Sequence, residues 1–167
     1  MASTHFKGSP IELSGELPKI GTKAPGFLLT SSDLSDFDLD KFKGKRILLN
    51  IFPSIDTGIC AMSVRHFNKI ASELENTMVV CVSRDLPFAQ NRFCGAEGIE
   101  NLAMGSEMRP KSSFGEDYGL VQMEGPLAGT LARVVMVLDE NQQITYTEIV
   151  PEITQEPNYE AALKALK

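Results

Sequence analysis

The 167-residue sequence predicts an α/β domain with a mixed central sheet flanked by helices. Three observations carry that expectation. First, "RILLNIF" (46–52), "MVVCVS" (78–83) and "RVVMVLD" (133–139) are continuous apolar runs of strand length, the pattern of strands covered on both faces. Second, "CAMSVRHFNKIASELEN" (60–76), between the first two runs, has helical periodicity. Third, "ENQ" joins "RVVMVLD" to "QITYTEIV" (143–150) as a hairpin, and "PNYEAALKALK" (157–167) reads as a closing amphipathic helix with Pro157 near its start.

Taken in chain order, the first ~45 residues hold short strand-like pieces separated by turn residues: "THFKG", "PIELSG", "PGFLLTS" and "SDFDLD". A β-hairpin extension is expected at this end. The three long runs then give βαβ, a further helix and strand, the hairpin and the last helix. That order is the thioredoxin-like plan, and a parallel βαβ unit needs its helix as a crossover. No internal repeat, low-complexity tract or linker interrupts it, so one domain over 1–167 is expected.

Composition removes several function classes. The net charge is −6, and no Lys/Arg cluster or stripe is present, which argues against nucleic acid as a partner. The longest apolar runs are strand-sized, whereas a membrane span needs about 20 residues. The opening "MASTHFKGSP" has neither an apolar core nor an A-x-A cleavage pattern, so a cytoplasmic protein is expected. There a structural disulfide is unusual. Cys60, Cys81 and Cys94 are widely spaced, and no C-x-x-C occurs. Neither a zinc knuckle nor a local dithiol motif is written, and no metal or cofactor is expected.

Cys60 follows the loop "PSIDTGI" and opens the long helix. Spacings of 4, 3, 4 and 3 put Cys60, Val64, Phe67, Ala71 and Leu74 on one face, towards the sheet. A packing role is the ordinary reading of such a thiol. Its position argues for more, because a helix N-terminus offers free N–H groups and partial positive charge that favour a thiolate. Thr57, three residues earlier, either caps the helix or donates to a sulfur anion. A Cys–His pair finds little support: His66 lies about 240° around the same helix, and His5 sits in the N-terminal segment. Cys81, flanked by valines on a strand expected at the centre of the sheet, reads as inert. Cys94 lies in "DLPFAQNRFCGAEG" (85–98), a helix of about two turns, with Pro87 as its start and Gly95 as its stop. Core packing and a mobile second thiol both remain open for it. A Cys60–Cys94 bond needs the two Cα atoms within about 7 Å.

Those residues carry a resemblance. Pro53-x-x-x-Thr57-x-x-Cys60 resembles the active-site pattern of the peroxiredoxins. With "SRDLPFAQNRFCGAEG" and "EITQEPNYEAALKALK", essentially the whole chain resembles the bacterial thiol peroxidases, atypical 2-Cys members that close a disulfide within one chain. The resemblance implies Cys60 as peroxidatic cysteine, Cys94 as resolving cysteine and Cys81 as a non-catalytic third thiol. It further implies Thr57 as donor to thiolate and substrate, Pro53 as a water shield, and Arg133 as the distant arginine completing the site. Without it, Arg133 reads as an ordinary charged strand end. Hydrogen peroxide and organic hydroperoxides are the implied substrates, thioredoxin the implied reductant and a homodimer the implied assembly. Two other readings stay open on the same fold: a general thiol–disulfide oxidoreductase, and a redox-sensing interaction module.

Overall fold

The computed structural model describes residues 2–167. The chain opens with an antiparallel hairpin, β1 (Ser3–Phe6) and β2 (Ser9–Glu12), turning through Lys7 and Gly8 at φ of 50° and 85°. Short strands β3 (Leu29–Thr30) and β4 (Asp36–Phe37) and a 3₁₀ turn at Leu39–Phe42 precede the main βαβ unit. That unit is β5 (Arg46–Ile51), α1 (Gly58–Ala71) and β6 (Thr77–Ser83). It is followed by α2 (Pro87–Glu97), β7 (Ala103–Ser106) and a single turn, α3 (Phe114–Asp117). β8 (Val134–Leu138), β9 (Ile144–Ile149) and α4 (Tyr159–Ala165) complete the chain.

Seven strands form one sheet in the order β4-β3-β7-β6-β5-β8-β9, while β1 and β2 form a separate two-stranded sheet. β5, β6 and β7 run parallel, and β8 enters antiparallel beside β5, so the sheet is mixed as expected. Alternation along the central strands makes two cores. Ile47, Leu49, Ile51, Val80, Val82, Val134 and Met136 face the side covered by Phe27, Phe42, Phe114 and Tyr118. Leu48, Val79, Cys81, Val135 and Val137 face α1 and α4. All of these strand residues are essentially buried, and each aliphatic one contributes about 1.5–3 kcal/mol through burial.

The helix ends follow from side-chain chemistry. Thr57 Oγ1 accepts the Cys60 N–H at the start of α1, and Asn158 Oδ1 accepts the Ala161 N–H at the start of α4. Pro157 therefore lies just before the α4 cap. α1 buries Cys60, Val64 and Phe67, and Leu74 packs against the same cluster from beyond the helix end. α2 departs from expectation. It continues through Gly95 and stops at Gly98, whose φ of 66° is a left-handed cap; the Gly98 and Ile99 N–H groups both bond the Cys94 carbonyl. The helix is thus 11 residues, about three turns rather than two. Glycine at 95 simply continues the helix, because nothing in its surroundings asks for the left-handed conformation.

The hairpin is fastened to the loop after β9. Thr4 Oγ1 donates to the Val150 carbonyl at 2.8 Å, and the His5 N–H donates to the Pro151 carbonyl at 2.9 Å. Among the described residues no helix is long and apolar enough to cross a membrane.

Candidate active site

β5 delivers the chain to the buried Pro53, and the loop 54–57 turns it into α1. The loop closes on itself: the Thr57 N–H and hydroxyl both donate to the Ser54 carbonyl, at 3.2 and 3.1 Å. Thr57 therefore uses its oxygen as the helix cap and its proton on Ser54. Of the two readings the sequence left open, capping is the arrangement found here.

Cys60 lies in the first turn of α1 with no exposed surface, among Val64, Phe67, Val79 and Cys81. Its carbonyl accepts from Ser63 Oγ at 2.8 Å, and Asn50 Nδ2, reaching up from β5, donates to that same hydroxyl at 3.2 Å. Asn50 also reaches Cys81 Sγ at 3.6 Å. Cys81 is fully buried, and that burial pushes its thiol up to about 12. Cys94 is half-buried on α2 and packs against the cluster that holds Cys60; burial pushes its thiol up as well. The three thiols are free, so Cys60 and Cys94 share a neighbourhood without a bond.

Beside the first turn of α1 is a cavity of about 210 Å³. Pro53, Thr57, Gly58 and Ile59 form its α1 side; Phe6 of the hairpin, Leu127 and Ile153 supply apolar walls; and Arg133 reaches it from the residue before β8. Arg133 is only 2% exposed. Its Nε donates to the Ile153 carbonyl at 2.9 Å, while its Nη1 is buried with no hydrogen-bond partner. No ion pair to it occurs among the described residues. A guanidinium buried without a carboxylate is costly. It is no ordinary strand-end charge, and its free donor is what an anionic or strongly polar ligand in the cavity would use.

His66 is exposed and stacks on Tyr159, with ring centroids 3.8 Å apart, and the His5 ring faces the Pro151 carbonyl. Neither histidine is bonded to a cysteine. Among the described residues no group of His, Cys, Asp or Glu converges as metal ligands do. Sequence reasoning missed two parts. One is Phe6, whose place in the cavity depends on how the hairpin folds back. The other is Asp85, which accepts from Ser54 Oγ and the Ile55 N–H, both at 2.7 Å. A carboxylate two residues before a helix-opening proline was the available signal for the second.

The Redoxin family model matches residues 19–163. A thiol peroxidase of Corynebacterium glutamicum is 53% identical over 99% of both chains, and one of Mycobacterium tuberculosis is 55% identical with the same coverage. The crystal structure of a peroxiredoxin-like protein from Aquifex aeolicus superposes with a TM-score of 0.93 at 36% identity, covering 99% of this chain and 96% of that one. The chain belongs to the Redoxin family and, within it, to the thiol peroxidases, peroxiredoxins built on the thioredoxin-like fold.

Proposed function

We propose that this chain reduces hydrogen peroxide and organic hydroperoxides with Cys60 as the attacking thiol, Cys94 as the resolving thiol and thioredoxin as the reductant. The observation that carries the reading is a largely apolar cavity against the first turn of the Cys60 helix, lined by buried Arg133, whose Nη1 has no hydrogen-bond partner. A hydroperoxide ROOH fits both halves: its O–O group suits the guanidinium, and an organic R group suits Phe6, Leu127 and Ile153.

In the first step the Cys60 thiolate sulfur attacks the terminal peroxide oxygen. An S–O bond forms, the O–O bond breaks, and RO⁻ leaves and takes a proton as ROH, so sulfur is oxidised to sulfenic acid while the peroxide is reduced. Arg133 stabilises the charge growing on the leaving oxygen, a role for which a donor fixed in advance is worth most. Thr57 turns its hydroxyl proton from Ser54 to the reacting oxygen, and Pro53 excludes water. In the second step the Cys94 sulfur attacks the Cys60 sulfenic acid; the S–S bond forms and water departs. A dithiol of thioredoxin then reduces the disulfide by exchange. Cys81 stays out of the cycle: it sits within β6 rather than at a helix N-terminus, and burial pushes its thiol up to about 12, away from the reactive thiolate.

The second step needs movement, since Cys60 is enclosed and Cys94 sits on another helix. α2 suits it: only Pro87 and Gln90 of its residues are buried, and its last turns are solvated. We also read the protein as a single-domain cytoplasmic homodimer. Phe88 is 64% exposed and Leu86, beside it at the start of α2, is 54% exposed, an apolar surface that suits a second copy; a sedimentation mass of two chains checks this.

A free-thiol count with peptide mapping, before and after one equivalent of peroxide, tests the chemistry. Rapid loss of two thiols per chain, at Cys60 and Cys94 with Cys81 intact, is expected. Cys60→Ser should abolish the reaction, and Cys94→Ser should allow one turnover that leaves Cys60 trapped or over-oxidised. No thiol loss within seconds would refute the reading.

A further inference from the structure

Behind the Pro53–Thr57 loop lies a polar cluster centred on the Asp85 carboxylate, between the end of β6 and the start of α2. Both oxygens are engaged. Oδ1 accepts from Ser54 Oγ at 2.7 Å; Oδ2 accepts from the Ile55 N–H at 2.7 Å and from Ser83 Oγ at 2.5 Å. Ser106 Oγ donates to the Asp85 backbone carbonyl. The Ser83 hydroxyl oxygen in turn accepts from Nε2 of the fully buried Gln90, which also reaches the Gly105 carbonyl, both at 3.1 Å. Asp85 is therefore anchored to β6, β7 and α2 at once.

On the other side, the same bonds lead into the active-site loop. The Ser54 carbonyl accepts the Thr57 hydroxyl, and Thr57 Oγ1 accepts the Cys60 N–H. An unbroken chain of hydrogen bonds thus runs from the sheet through Asp85, Ser54 and Thr57 to the amide of Cys60. Elsewhere the loop is held by the burial of Pro53 and Ile55 and by the Asp56 and Thr57 N–H groups, which both bond Ser54; Asp56 also meets Arg92 at 3.6 Å, but both side chains are largely exposed, and such pairs contribute little.

We propose that Asp85 is the positioning residue of the peroxide step, fixing Pro53 and Thr57 at the cavity by accepting from Ser54 and Ile55, which lie between them. It touches neither sulfur nor substrate and acts through Ser54 and Ile55. The proposal rests on Cys60 being the attacking thiol. Displacement of a reacting group by about 1 Å can cost as much as 100-fold in rate, so a loop cut free from Asp85 loses rate without losing its thiol.

The test uses full-length reduced protein and follows loss of the Cys60 thiol after one equivalent of hydrogen peroxide, with iodoacetamide alkylation of Cys60 in parallel. Asp85→Ala is expected to slow the peroxide reaction about 10- to 100-fold while alkylation is not slowed. Asp85→Asn should stay within about threefold of wild type, because its oxygen can keep the Ile55 bond while the Ser54 hydroxyl reverses to accept from the amide. Ser54→Ala, which removes the bond to Asp85 and the one accepted from the Asp56 N–H while leaving the Ile55 bond, should slow the reaction about three- to tenfold. A folded Asp85→Ala within about threefold of wild type would overturn the proposal, as would Asp85→Asn as slow as Asp85→Ala, or equal slowing of peroxide and alkylation. If Asp85→Ala does not fold, Ser54→Ala decides: an unchanged rate overturns it. Peroxide reaction persisting in Cys60→Ser would instead overturn the underlying assignment of the thiol.

Discussion

Replacing Arg133 by methionine should separate stability from activity in opposite directions. Methionine is similar in length, unbranched and apolar, so it fills the space that Arg133 occupies beneath the cavity. Two effects on stability compete. The substitution removes a cation that is 2% exposed and has no ion-pair partner among the described residues, and burying such a charge costs several kcal/mol. It also removes the Nε bond to the Ile153 carbonyl, a loss of about 1–3 kcal/mol. Ile153 lines the cavity, so its carbonyl is expected to gain water once the donor is gone, which puts the loss at the low end of that range. The net is a gain of about 1–2 kcal/mol, or roughly 2–8 °C in a domain of this size. For the peroxide step the sign reverses, because removing one fixed donor from a developing oxyanion costs about 100- to 1,000-fold. Thermal unfolding of the reduced variant and rapid-mixing measurement of Cys60 oxidation give both numbers on one preparation. A variant that melts several degrees lower yet consumes peroxide at the wild-type rate would refute the reasoning and make Arg133 a structural residue.

Two further outcomes are expected. Phe6→Ala enlarges the apolar wall of the cavity, so it should lower the rate with a bulky organic hydroperoxide about tenfold while leaving hydrogen peroxide nearly unaffected; an equal effect on both would place Phe6 outside the substrate's reach. The Cys94 helix is tied to α1 by a bidentate pair, Arg65 Nε and Nη2 to Glu97 at 3.0 and 2.9 Å, which holds the Glu97 carboxyl below its usual range. Its lowered value means the tie is present above the ordinary glutamate range and is lost as pH falls through that value. Glu97→Gln should therefore speed closure of the Cys60–Cys94 disulfide about two- to fivefold at neutral pH, with the difference from wild type vanishing in acid; slower closure in the variant would show that the pair guides α2 rather than restraining it.

The parts of the molecule that depend on local pattern were legible in the sequence. The runs at 46–52, 78–83 and 133–139 became β5, β6 and β8 because continuous apolar strands must lie inside a sheet, and the 4-3-4 spacing put Cys60 on the buried face of α1. β7 and α3 were not legible one by one. Each is only four residues long, and "AMGS" and "FGED" carry no periodicity. The end of α2 offered two glycines three residues apart, and only the fold shows that Gly98, not Gly95, takes the left-handed cap. Cys60, Thr57 and Pro53 lie in one short loop and were visible together. Arg133 lies 76 residues after Thr57 and Phe6 lies 127 residues before Arg133, yet all three line the cavity, and no local rule reveals such a meeting. The burial of Arg133 depends on the loop carrying Ile153 passing over it. Asp85 acts through the amide of Ile55, a contact to backbone that leaves no trace in side-chain pattern.

The N-terminal hairpin lies outside the region shared with the wider family, which begins at residue 19. It pairs with no strand of the main sheet and is tied down chiefly through backbone groups at 150–153 and 121–123. A graft that keeps those backbone partners could exchange the turn and the side chain at 6 while leaving the cysteines, the sheet and the arginine untouched. The hairpin is thus a replaceable cassette: by swapping it, oxidant preference can be redesigned, or can diverge between lineages, without rebuilding the reaction centre.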